Sequence, residues 1–497
     1  MHIPDGYLSP VISIGLGGAT VPMWAIATQR VKRVLNNRTI PLLAIFAALS
    51  FTIMMFNVPV PGGTTAHGVG GTLIAIVLGP WAALIAVSTA LIIQALFFGD
   101  GGVLAIFANC LNMGILLPFV GYATYRLLAG RAPLLSTRRV WAAAIGGYVG
   151  ITVAALAVGV ELGVEPIFFT QNGHALYSPY TLGQAVPAML AAHAFGASIV
   201  EALITGLGVA YFQQRHPEYL ASLRGIFAPD AAAEGESSPR PLWQLVLGAG
   251  GAAVLVVAVL GLLMGGGDPG HFYGADWSQV SWPDVGTMLL VVALIGLVLV
   301  PLAYLLLPRP AKRIGAAFTA ISVVAPLGLI APGFAYGEGS PQDVEAAFGY
   351  VPQGLQQLSG IFSAPLSGYN VPLPFFEGAN APLWHAAIGY EITGILGMLI
   401  VGGLSAAVAR VLGGGRSAAP DQMGSTACAA RRPARRQLGA SAGGVGSAGS
   451  SRPSPESPRR SNTPSSPSST PGSAGSCRHG IRGPSSPSSW PWCWRRV

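Results

Sequence analysis

The first two residues of the chain, Met1 and His2, could together chelate a metal ion. The α-amine, the His2 amide nitrogen once deprotonated, and the His2 imidazole would form fused five- and six-membered rings in one plane. A bulky second residue normally prevents removal of the initiator methionine, so we expect the amine to be that of Met1. A fourth nitrogen would close a square, and square-planar nitrogen ligands favour Ni(II) or Cu(II), with Co(II) in a tetragonal variant. Taken alone, His2 could equally be a surface histidine on a frayed terminus.

His67 could supply the fourth nitrogen. It lies in the segment NVPVPGGTTAHGVGG, which is rich in glycine and proline and connects two apolar runs. Such a segment can fold back toward a membrane only where it is buried in protein or lines a cavity. The alternative is a loop histidine that is hydrogen-bonded to a carbonyl. Two histidines on one side of the membrane leave a shared metal site and an incidental pair both open at this point.

A second polar group lies in FGDGGVLAIFANCLNMG and comprises Asp100, Asn109 and Asn112. Asn109 and Asn112 are three residues apart and therefore share a helix face. Asp100 lies at the outer end of the same helix. Amides inside a membrane need partners, so these residues either join two helices or support the His67 loop as second-shell groups of a metal site.

His193 and Glu201 are eight residues apart within one apolar run, which predicts one shared helix face. An acid inside a membrane span suggests a function by default, although the two residues could simply pair with each other or with an arginine of a partner. We rank this pair below His2 and His67. The remaining histidines of the outer segments, His174, His271 and His385, are each more typical of incidental loop or interface positions.

Enzymatic motifs are missing from the sequence. The four cysteines form no CxxC pair, which argues against a disulfide frame or a cysteine zinc site. Lys32 and Lys312 are the only lysines and neither follows a glycine, so a Gly-Lys-Ser/Thr phosphate loop is excluded. We expect no covalent chemistry and no cofactor, and any ATP that drives transport must be bound by another chain.

The elements that would position these residues are membrane helices. Hydrophobic residues make up 52% of the chain and charged residues only 9%, against about 25% in an average soluble protein, so an ordinary soluble enzyme is excluded. The predicted class is an all-α polytopic membrane protein. The predicted spans are 11–28, 39–56, 69–79, 80–98, 102–128, 140–160, 181–213, 242–266, 286–307, 316–335 and 388–412. The segment 69–79 is too short to cross about 30 Å and should break at Gly79-Pro80.

Lysine and arginine placement predicts the orientation. Arg30 and Lys32 follow the first span, and Arg410 and Arg416 follow the last. The alternate connecting segments contain no lysine or arginine: 1–10, 57–68, 99–101, 161–180, 267–285 and 336–387. We therefore expect the N-terminus outside and the C-terminus in the cytoplasm. The first ten residues lack the positive charges of a cleavable signal.

The spans divide the chain into two blocks. Residues 1–225 carry seven spans, 226–241 form a polar linker, and 242–412 carry four more, with an ordered outer subdomain at 336–387. Residues 413–497 are rich in Ser, Pro, Gly and Arg, so we expect a disordered basic tail without a function. The net charge of +8 arises from this tail, and it gives no indication of a nucleic-acid partner.

Three motifs in order, MHIPDGYLSP, PGGTTAHGVGG and FGDGGVLAIFANCLNMG, closely resemble the CbiM/NikM family. Members of that family are the cobalt/nickel substrate-capture components of energy-coupling-factor ABC transporters. The resemblance covers about residues 1–220. It implies metal binding through the amine of Met1, the backbone and side-chain nitrogens of His2, and His67, which agrees with the chelate argument. It also implies a membrane coupling subunit and cytoplasmic ABC ATPases on separate chains.

The second block resembles the CbiN/NikN-like extension, also called the PDGLE domain. The matching segments are PLGLIAPGFAYGEG, GYVPQGLQQL and FSAPLSGYNVP. This chain has Pro-Gln-Gly-Leu-Gln where the motif has Pro-Asp-Gly-Leu-Glu, so both acids are lost. We therefore expect this loop to support the capture domain or its assembly rather than to handle metal directly.

The sequence thus predicts a protein of a bacterial or archaeal cell membrane that captures Ni(II) or Co(II) outside and passes it inward. It does not distinguish nickel from cobalt. Two alternatives remain: a membrane metal sensor or assembly protein that binds the ion without moving it, and a secondary ion-coupled carrier. The carrier would need acids near the membrane midplane, where Glu201 is nearly alone.

Overall fold

The computed structural model describes residues 1–32, 39–59, 65–222, 280–306, 312–331, 335–376 and 382–413. The predicted linker 226–241, the predicted span 242–266 and the predicted tail beyond Gly413 lie outside the described residues, as does His271. The division into blocks at these boundaries therefore stays a prediction.

Helices form almost all of the first block. Their bounds are α1 Pro10–Lys32, α2 Thr39–Met55, α3 Gly71–Leu78, α4 Pro80–Ile93, α5 Ile106–Asn109, α6 Leu117–Ala129, α7 Thr137–Phe168, α8 Leu182–Ala192, α9 Ser198–Arg215 and α10 Pro217–Ser222. Gly79 has φ 88° and separates α3 from α4, which begins at Pro80. The predicted break at Gly79-Pro80 is confirmed, because proline starts a helix readily but cannot continue one.

Short π-helical turns interrupt two long helices at Cys110–Leu116 and His193–Ala197, and a third such turn, Gln94–Phe98, ends the helix that begins at Pro80. Each such turn adds one residue to the local helical period and changes which side chains share a face. Turns of this kind often occur at functional sites. Here two of the turns contain polar residues singled out below, Gln94 and His193.

Two hairpins connect the helices of the first block on the side of the N-terminus. β1 (Asn57–Pro59) pairs antiparallel with β2 (Thr65–His67), and Asn57 lies opposite His67. β3 (Thr170–Gln171) and β4 (His174–Ala175) form the second, shorter pair. The first hairpin fixes the position of His67 at the entrance to α3.

Within the described residues, the second block adds three apolar helices and a segment, 335–376, which we name the outer segment after the side of the membrane predicted for it. The helices are α11 Trp282–Leu306, α12 Lys312–Val324, which continues into a 3-10 turn at Ala325–Ile330, and α15 Leu383–Gly413. The outer segment contains α13 Pro341–Phe348, α14 Gln353–Leu358 and a turn at Ser367–Tyr369. Ser340 caps α13, because its hydroxyl accepts from the Asp343 amide and its own amide donates to the Asp343 carboxylate.

Small residues bring the two blocks together in the membrane. α15 packs along α2, and a Cβ on Gly397 would overlap the ring of Phe51. A Cβ on Gly394 would likewise meet the thioether of Met55. Close packing of this kind drives helix association in lipid, where no hydrophobic effect acts between helices.

Among the described residues, seven helices are long and apolar enough to cross a membrane, and two shorter apolar helices accompany them. Every predicted span except 242–266 overlaps a described helix. The prediction of an all-α polytopic membrane protein is therefore confirmed.

Candidate metal centre

The N-terminal segment runs into the protein and is buried. Met1, His2 and Ile3 are each 5% exposed or less. The Asn109 side chain forms two hydrogen bonds with the backbone of Ile3. Its Oδ1 accepts from the Ile3 amide at 2.8 Å, and its Nδ2 donates to the Ile3 carbonyl at 3.1 Å. Gly102 donates to the same carbonyl at 2.8 Å. The residue that follows His2 therefore has a fixed backbone.

Two acids, Asp5 within this segment and Glu165 of α7, form further hydrogen bonds that fix it. The Asp5 carboxylate accepts from the amides of Val103 and Leu104 at 3.0 and 2.7 Å. Glu165 of α7 accepts from the Ser9 amide at 2.6 Å. These contacts join the first residues to the loop before α5 and to α7, so the terminus is ordered rather than frayed.

His67 is the last residue of β2 and lies shortly before the start of α3 at Gly71. Its Nδ1 is 2.9 Å from the Gly68 carbonyl oxygen, which can only accept, so Nδ1 carries the proton and Nε2 keeps a lone pair. Glu201 of α9 accepts from the amides of Val69 and Gly70 at 2.8 and 2.7 Å. A carboxylate at a helix N-terminus satisfies free amide groups and interacts well with the helix dipole. Glu201 therefore fixes the His67 loop.

The imidazole rings of His2 and His67 are buried and lie close together. Their ring centroids are 5.0 Å apart, with the planes inclined by 30°. Nε2 of each ring is buried and has no hydrogen-bond partner among the described residues. Burial, together with the charges of the Met1 amine and His2, holds the pKa of His67 well below its usual value. His67 is thus neutral, the form in which imidazole binds metals.

Asp100 contacts the other nitrogen of His2. Its Oδ1 lies 3.0 Å from His2 Nδ1, and its Oδ2 accepts hydrogen bonds from Gln94 and Tyr369. Burial by itself raises the pKa of Asp100, but the charge of His2 and the hydrogen bonds from His2 and Tyr369 outweigh it and lower this pKa below its usual range. Asp100 is therefore an anion beside His2.

Glu338, from the second block, reaches the N-terminal amine. The Met1 nitrogen lies 3.0 Å from Glu338 Oε1, although the two residues are 337 positions apart in the chain. The Tyr7 hydroxyl also donates to the Gly339 carbonyl at 2.8 Å. The outer segment therefore packs against the N-terminal residues.

These contacts bear directly on the predicted chelate. Its six-membered ring requires His2 Nδ1, which here lies against Asp100, and its five-membered ring requires the amine, which here lies against Glu338. A metal ion in this chelate would have to displace both carboxylates. Among the described residues, no three His, Cys, Asp or Glu side chains form a metal-ligating cluster, so an ion here needs the amine or backbone nitrogens as well.

The other polar residues named from the sequence make no direct contact with His2 in the described structure. Asn112 donates to Glu161 of α7 at 2.7 Å and does not reach His2 or His67. His193 and Glu201 do not pair with each other: His193 Nδ1 contacts the Met189 carbonyl at 2.8 Å, while Glu201 holds the His67 loop. Both residues nevertheless lie beside the His67 segment, because the π-helical turn at His193–Ala197 packs against β2 and Glu201 accepts from the Val69 amide.

The two described outer histidines are remote from this centre. The ring of His174 lies 4.4 Å from that of Tyr350, and His385 stacks on Phe375 at 4.2 Å. Three contributors to the centre were missed by sequence reasoning: Gln94, Glu338 and Tyr369. Of these, Glu338 and Tyr369 lie in the quoted segments PLGLIAPGFAYGEG and FSAPLSGYNVP, but no spacing relates either residue to His2.

Comparisons with known proteins agree with this architecture. Residues 2–219 match the CbiM family, described as the cobalt uptake substrate-specific transmembrane region. The fused nickel transport protein NikMN of Rhodobacter capsulatus is 38% identical over 81% of this chain and 96% of its own length. The probable fused nickel transport protein LarMN of Lactiplantibacillus plantarum is 48% identical over 44% of this chain and 66% of its own.

A crystal structure described as a truncated transition metal transporter is 53% identical and covers 44% of this chain and 99% of its own, with a TM-score of 0.41. The relationship to the Rhodobacter protein spans both blocks of the present chain and nearly all of that relative. The family match covers the block that contains His2, His67, Asp100 and Asn109. The chain therefore belongs to the CbiM/NikM family, with a NikN-like block fused behind the CbiM-like one.

Proposed function

We propose that this protein captures Ni(II) or Co(II) at the outer face of the membrane and delivers it inward as the substrate-specific component of an ATP-driven energy-coupling-factor transporter. The proposal is based on one observation: Met1, His2 and His67 are buried, and the two imidazole rings lie close together. The naming of relatives as nickel and cobalt transport proteins supports the same substrates.

The proposed ligands are the Met1 amine, the His2 amide and imidazole nitrogens, and His67 Nε2. All are nitrogens, which suits Ni(II) and, in a tetragonal arrangement, Co(II). Asp100 and Glu338 hold the imidazole and the amine until the ion displaces them. Asn109 fixes the backbone next to the chelate, whereas Asn112 acts at most through the Glu161 contact on α7.

The coupling subunit and the ATPases are proposed to be separate chains, because this sequence has no Gly-Lys-Ser/Thr phosphate loop. The arginine and lysine distribution supports an outer N-terminus, with the connecting segments of the opposite set in the cytoplasm. In this orientation the amine, His67 and the outer segment 335–376 all face the exterior, where the ion is captured.

The direct test is metal accumulation in cells. Cells that lack the gene should accumulate less Ni(II) or Co(II) than cells complemented with the full chain, and complementation with His2→Ala should not restore uptake. If uptake is unchanged while the purified chain still binds the ion, the protein is a sensor or assembly factor instead. Binding of neither ion by the purified chain would exclude both functions.

The donor set predicts a pH-dependent affinity. Protons compete with metal for nitrogen, so affinity should fall as the pH is lowered from about 8 to 6, where amines and imidazoles ordinarily become protonated. His67 contributes little in this window, since its lowered pKa keeps it neutral. Proton release should instead come from the other ligands that lose a proton when they coordinate, namely the amine, the His2 imidazole and the amide.

Calorimetric titrations in buffers of different ionisation enthalpy measure that release. We expect at least one proton to leave for each ion bound near neutral pH. His67→Ala serves as a control for the assignment, since removing a neutral ligand should weaken binding without reducing the number of released protons. An affinity that is flat across this pH range would contradict the proposed ligands.

The exposed face of α1 is proposed as the docking surface for the coupling subunit. Gly15 and Ala19 are exposed and one helical turn apart, and no other group of the described residues lies within 4 Å of a Cβ placed on Gly15. A pair of small residues at this spacing lets a second helix approach closely. Only 22% of the most apolar stretch of α1 is buried within the described structure, against 61% for the helix that begins at Pro80.

We expect the double variant Gly15→Leu with Ala19→Leu to bind metal normally while losing the coupling subunit and ATP-driven uptake. Gly286→Leu on α11 is a matched control, because Gly286 is equally open within the described structure but lies on another helix. Co-purification with the coupling subunit measures assembly. If the double variant co-purifies and transports like the unmodified protein, docking occurs on another face.

A further inference from the structure

His2 and His67 are both held through the same ring nitrogen. Nδ1 of His67 lies 2.9 Å from the Gly68 carbonyl oxygen, and Nδ1 of His2 lies 3.0 Å from Asp100 Oδ1. Both oxygens are acceptors, so each imidazole in its neutral form carries its proton on Nδ1 and keeps its lone pair on Nε2. Histidines that bind metals are usually held in this way, with one nitrogen donating to a carbonyl or carboxylate while the other binds the ion.

The two Nε2 atoms are buried, and neither has a hydrogen-bond partner among the described residues. His2 is 4% exposed and His67 is 6% exposed. Burial of a polar atom without a partner costs free energy, so such atoms are uncommon in folded proteins and need an explanation. A ligand that accepts a lone pair from both nitrogens would explain two such atoms on neighbouring rings.

The separation of the two rings is compatible with one shared metal ion. Their centroids are 5.0 Å apart. A metal–nitrogen bond measures about 2.1 Å and a ring nitrogen lies about 1.1 Å from its centroid, so imidazoles bound to one ion at about 90–110° have centroids roughly 4.5–5.2 Å apart. The observed separation lies within this range.

The nitrogens of the proposed chelate are less ready to bind than the two Nε2 atoms. His2 Nδ1 lies against Asp100, and the Met1 amine lies 3.0 Å from Glu338 Oε1. The His2 amide has to lose a proton before it can bind a metal. An arriving ion therefore has to displace two carboxylates to enter the chelate, whereas no protein group has to leave either Nε2.

We propose that Nε2 of His2 and Nε2 of His67 form a loading site, which takes the incoming divalent ion before the chelate forms. The proposal rests on the proposed function, because it assumes that the ion is captured at this centre. In the first step both Nε2 atoms bind the ion, and a protonated His2 ring gives up its Nε2 proton to water.

In the second step the His2 ring turns and Nδ1 replaces Nε2 on the ion. Nδ1 gives up its proton and leaves Asp100, while Nε2 takes up a proton. The Met1 amine leaves Glu338, and the amine and the His2 amide each lose a proton as they bind. His67 Nε2 stays on the ion throughout.

The loading site should accept a wider class of ions than the chelate. Neutral imidazole binds Zn(II) as well as Ni(II) and Cu(II), whereas a square-planar set of nitrogens favours Ni(II) and Cu(II). Zn(II) prefers a tetrahedral arrangement of ligands. We therefore expect Zn(II) to occupy the loading site without entering the chelate, and to compete there with Ni(II).

The test uses Zn(II) and Ni(II) with the purified full chain. Calorimetric titration should show Zn(II) binding, and Ni(II) binding should release at least about one proton more than Zn(II) binding, because the amide proton leaves only when the chelate forms. With Zn(II) already present at about ten times its Kd, the visible absorption of the Ni(II) chelate should appear about tenfold more slowly, because Zn(II) then occupies most of the sites.

Two variants and a control assign the Zn(II) site. His2→Ala and His67→Ala should each weaken Zn(II) binding beyond the range of about 10–100-fold that is typical for residues that only support a ligand. His174→Ala removes an exposed histidine of the outer loop and should leave Zn(II) binding unchanged. Competition of Zn(II) with Ni(II) in the unmodified chain tests the proposal without any variant that has to fold.

Three results would overturn the proposal: Zn(II) that leaves the rate of Ni(II) binding unchanged, Zn(II) affinity that survives in His67→Ala, or equal proton release by the two ions. The proposed function fails separately, because it requires Ni(II) or Co(II) uptake that depends on the gene and on His2. If that uptake is found while Zn(II) neither binds nor competes, only the loading site is rejected.

Discussion

Adding one residue before Met1 should abolish metal binding. The added residue moves the free amine away from His2, so the five-membered chelate ring can no longer form. It also has to enter a position where Met1 is only 5% exposed and its amine contacts Glu338. Loss of a supporting residue alone typically costs 10–100-fold in affinity, so loss of a ligand together with this steric conflict should cost more than about 100-fold.

The measurement is Ni(II) and Co(II) titration of the purified full chain with three termini. One begins at Met1, one carries a single preceding glycine, and one carries a cleavable peptide that leaves Met1 free after proteolysis. A tag placed after Val497 is the matched control and should leave affinity unchanged. Removal of the cleavable peptide should restore binding. Tight binding by the glycine-extended chain would exclude the amine as a ligand.

The parts of the site that could be predicted from the sequence are those set by local chemistry. The chelate spacing at Met1 and His2 depends on adjacent atoms, and the break at Gly79-Pro80 depends on the proline ring, so neither needs tertiary information. The side of the membrane on which His67 should lie follows from charge placement along the chain. The 5.0 Å approach of His2 and His67 is consistent with that placement.

Contacts between distant segments could not be predicted. The amine and Glu338 are 337 residues apart, and nothing in either segment specifies the other. The same holds for Asp100 and Tyr369, which the outer segment of the second block brings together.

The structure also changes how the outer segment is understood. Its Pro-Gln-Gly-Leu-Gln sequence lacks the acids of the family motif, and from the sequence we expected a supporting rather than a ligating role. The contacts of this sequence are with backbone: Gly354 donates to the Leu176 carbonyl at 2.6 Å, and the Cα of Leu355 lies only 2.8 Å from where a Cβ on Gly6 would be. The contact with the metal centre comes instead from an acid outside the motif, Glu338, whose carboxylate lies against the Met1 amine.

Replacing His67 by alanine should have the second-largest effect. Its Nε2 is buried, without a partner among the described residues, and unprotonated, so unlike His2 Nδ1 it needs no displacement before it binds the ion. Without it the chelate of Met1 and His2 has only three nitrogens. We expect a loss of about 100-fold or more in Ni(II) affinity, above the range for supporting residues.

A cavity left by the substitution is a separate effect that the controls must exclude. His174→Ala removes an exposed outer-loop histidine and should leave the affinity unchanged, while Glu201→Gln keeps His67 but weakens the hold on its loop and should give an intermediate loss. Thermal unfolding of each variant without metal reports the stability change. Ni(II) titration reports the affinity, and the d–d absorption of any residual complex should differ from that of the unmodified protein, because one nitrogen has been replaced by water. If His67→Ala binds Ni(II) with unchanged affinity and spectrum, the fourth nitrogen comes from another residue, and His193, whose π-helical turn packs against β2, is then the first to test.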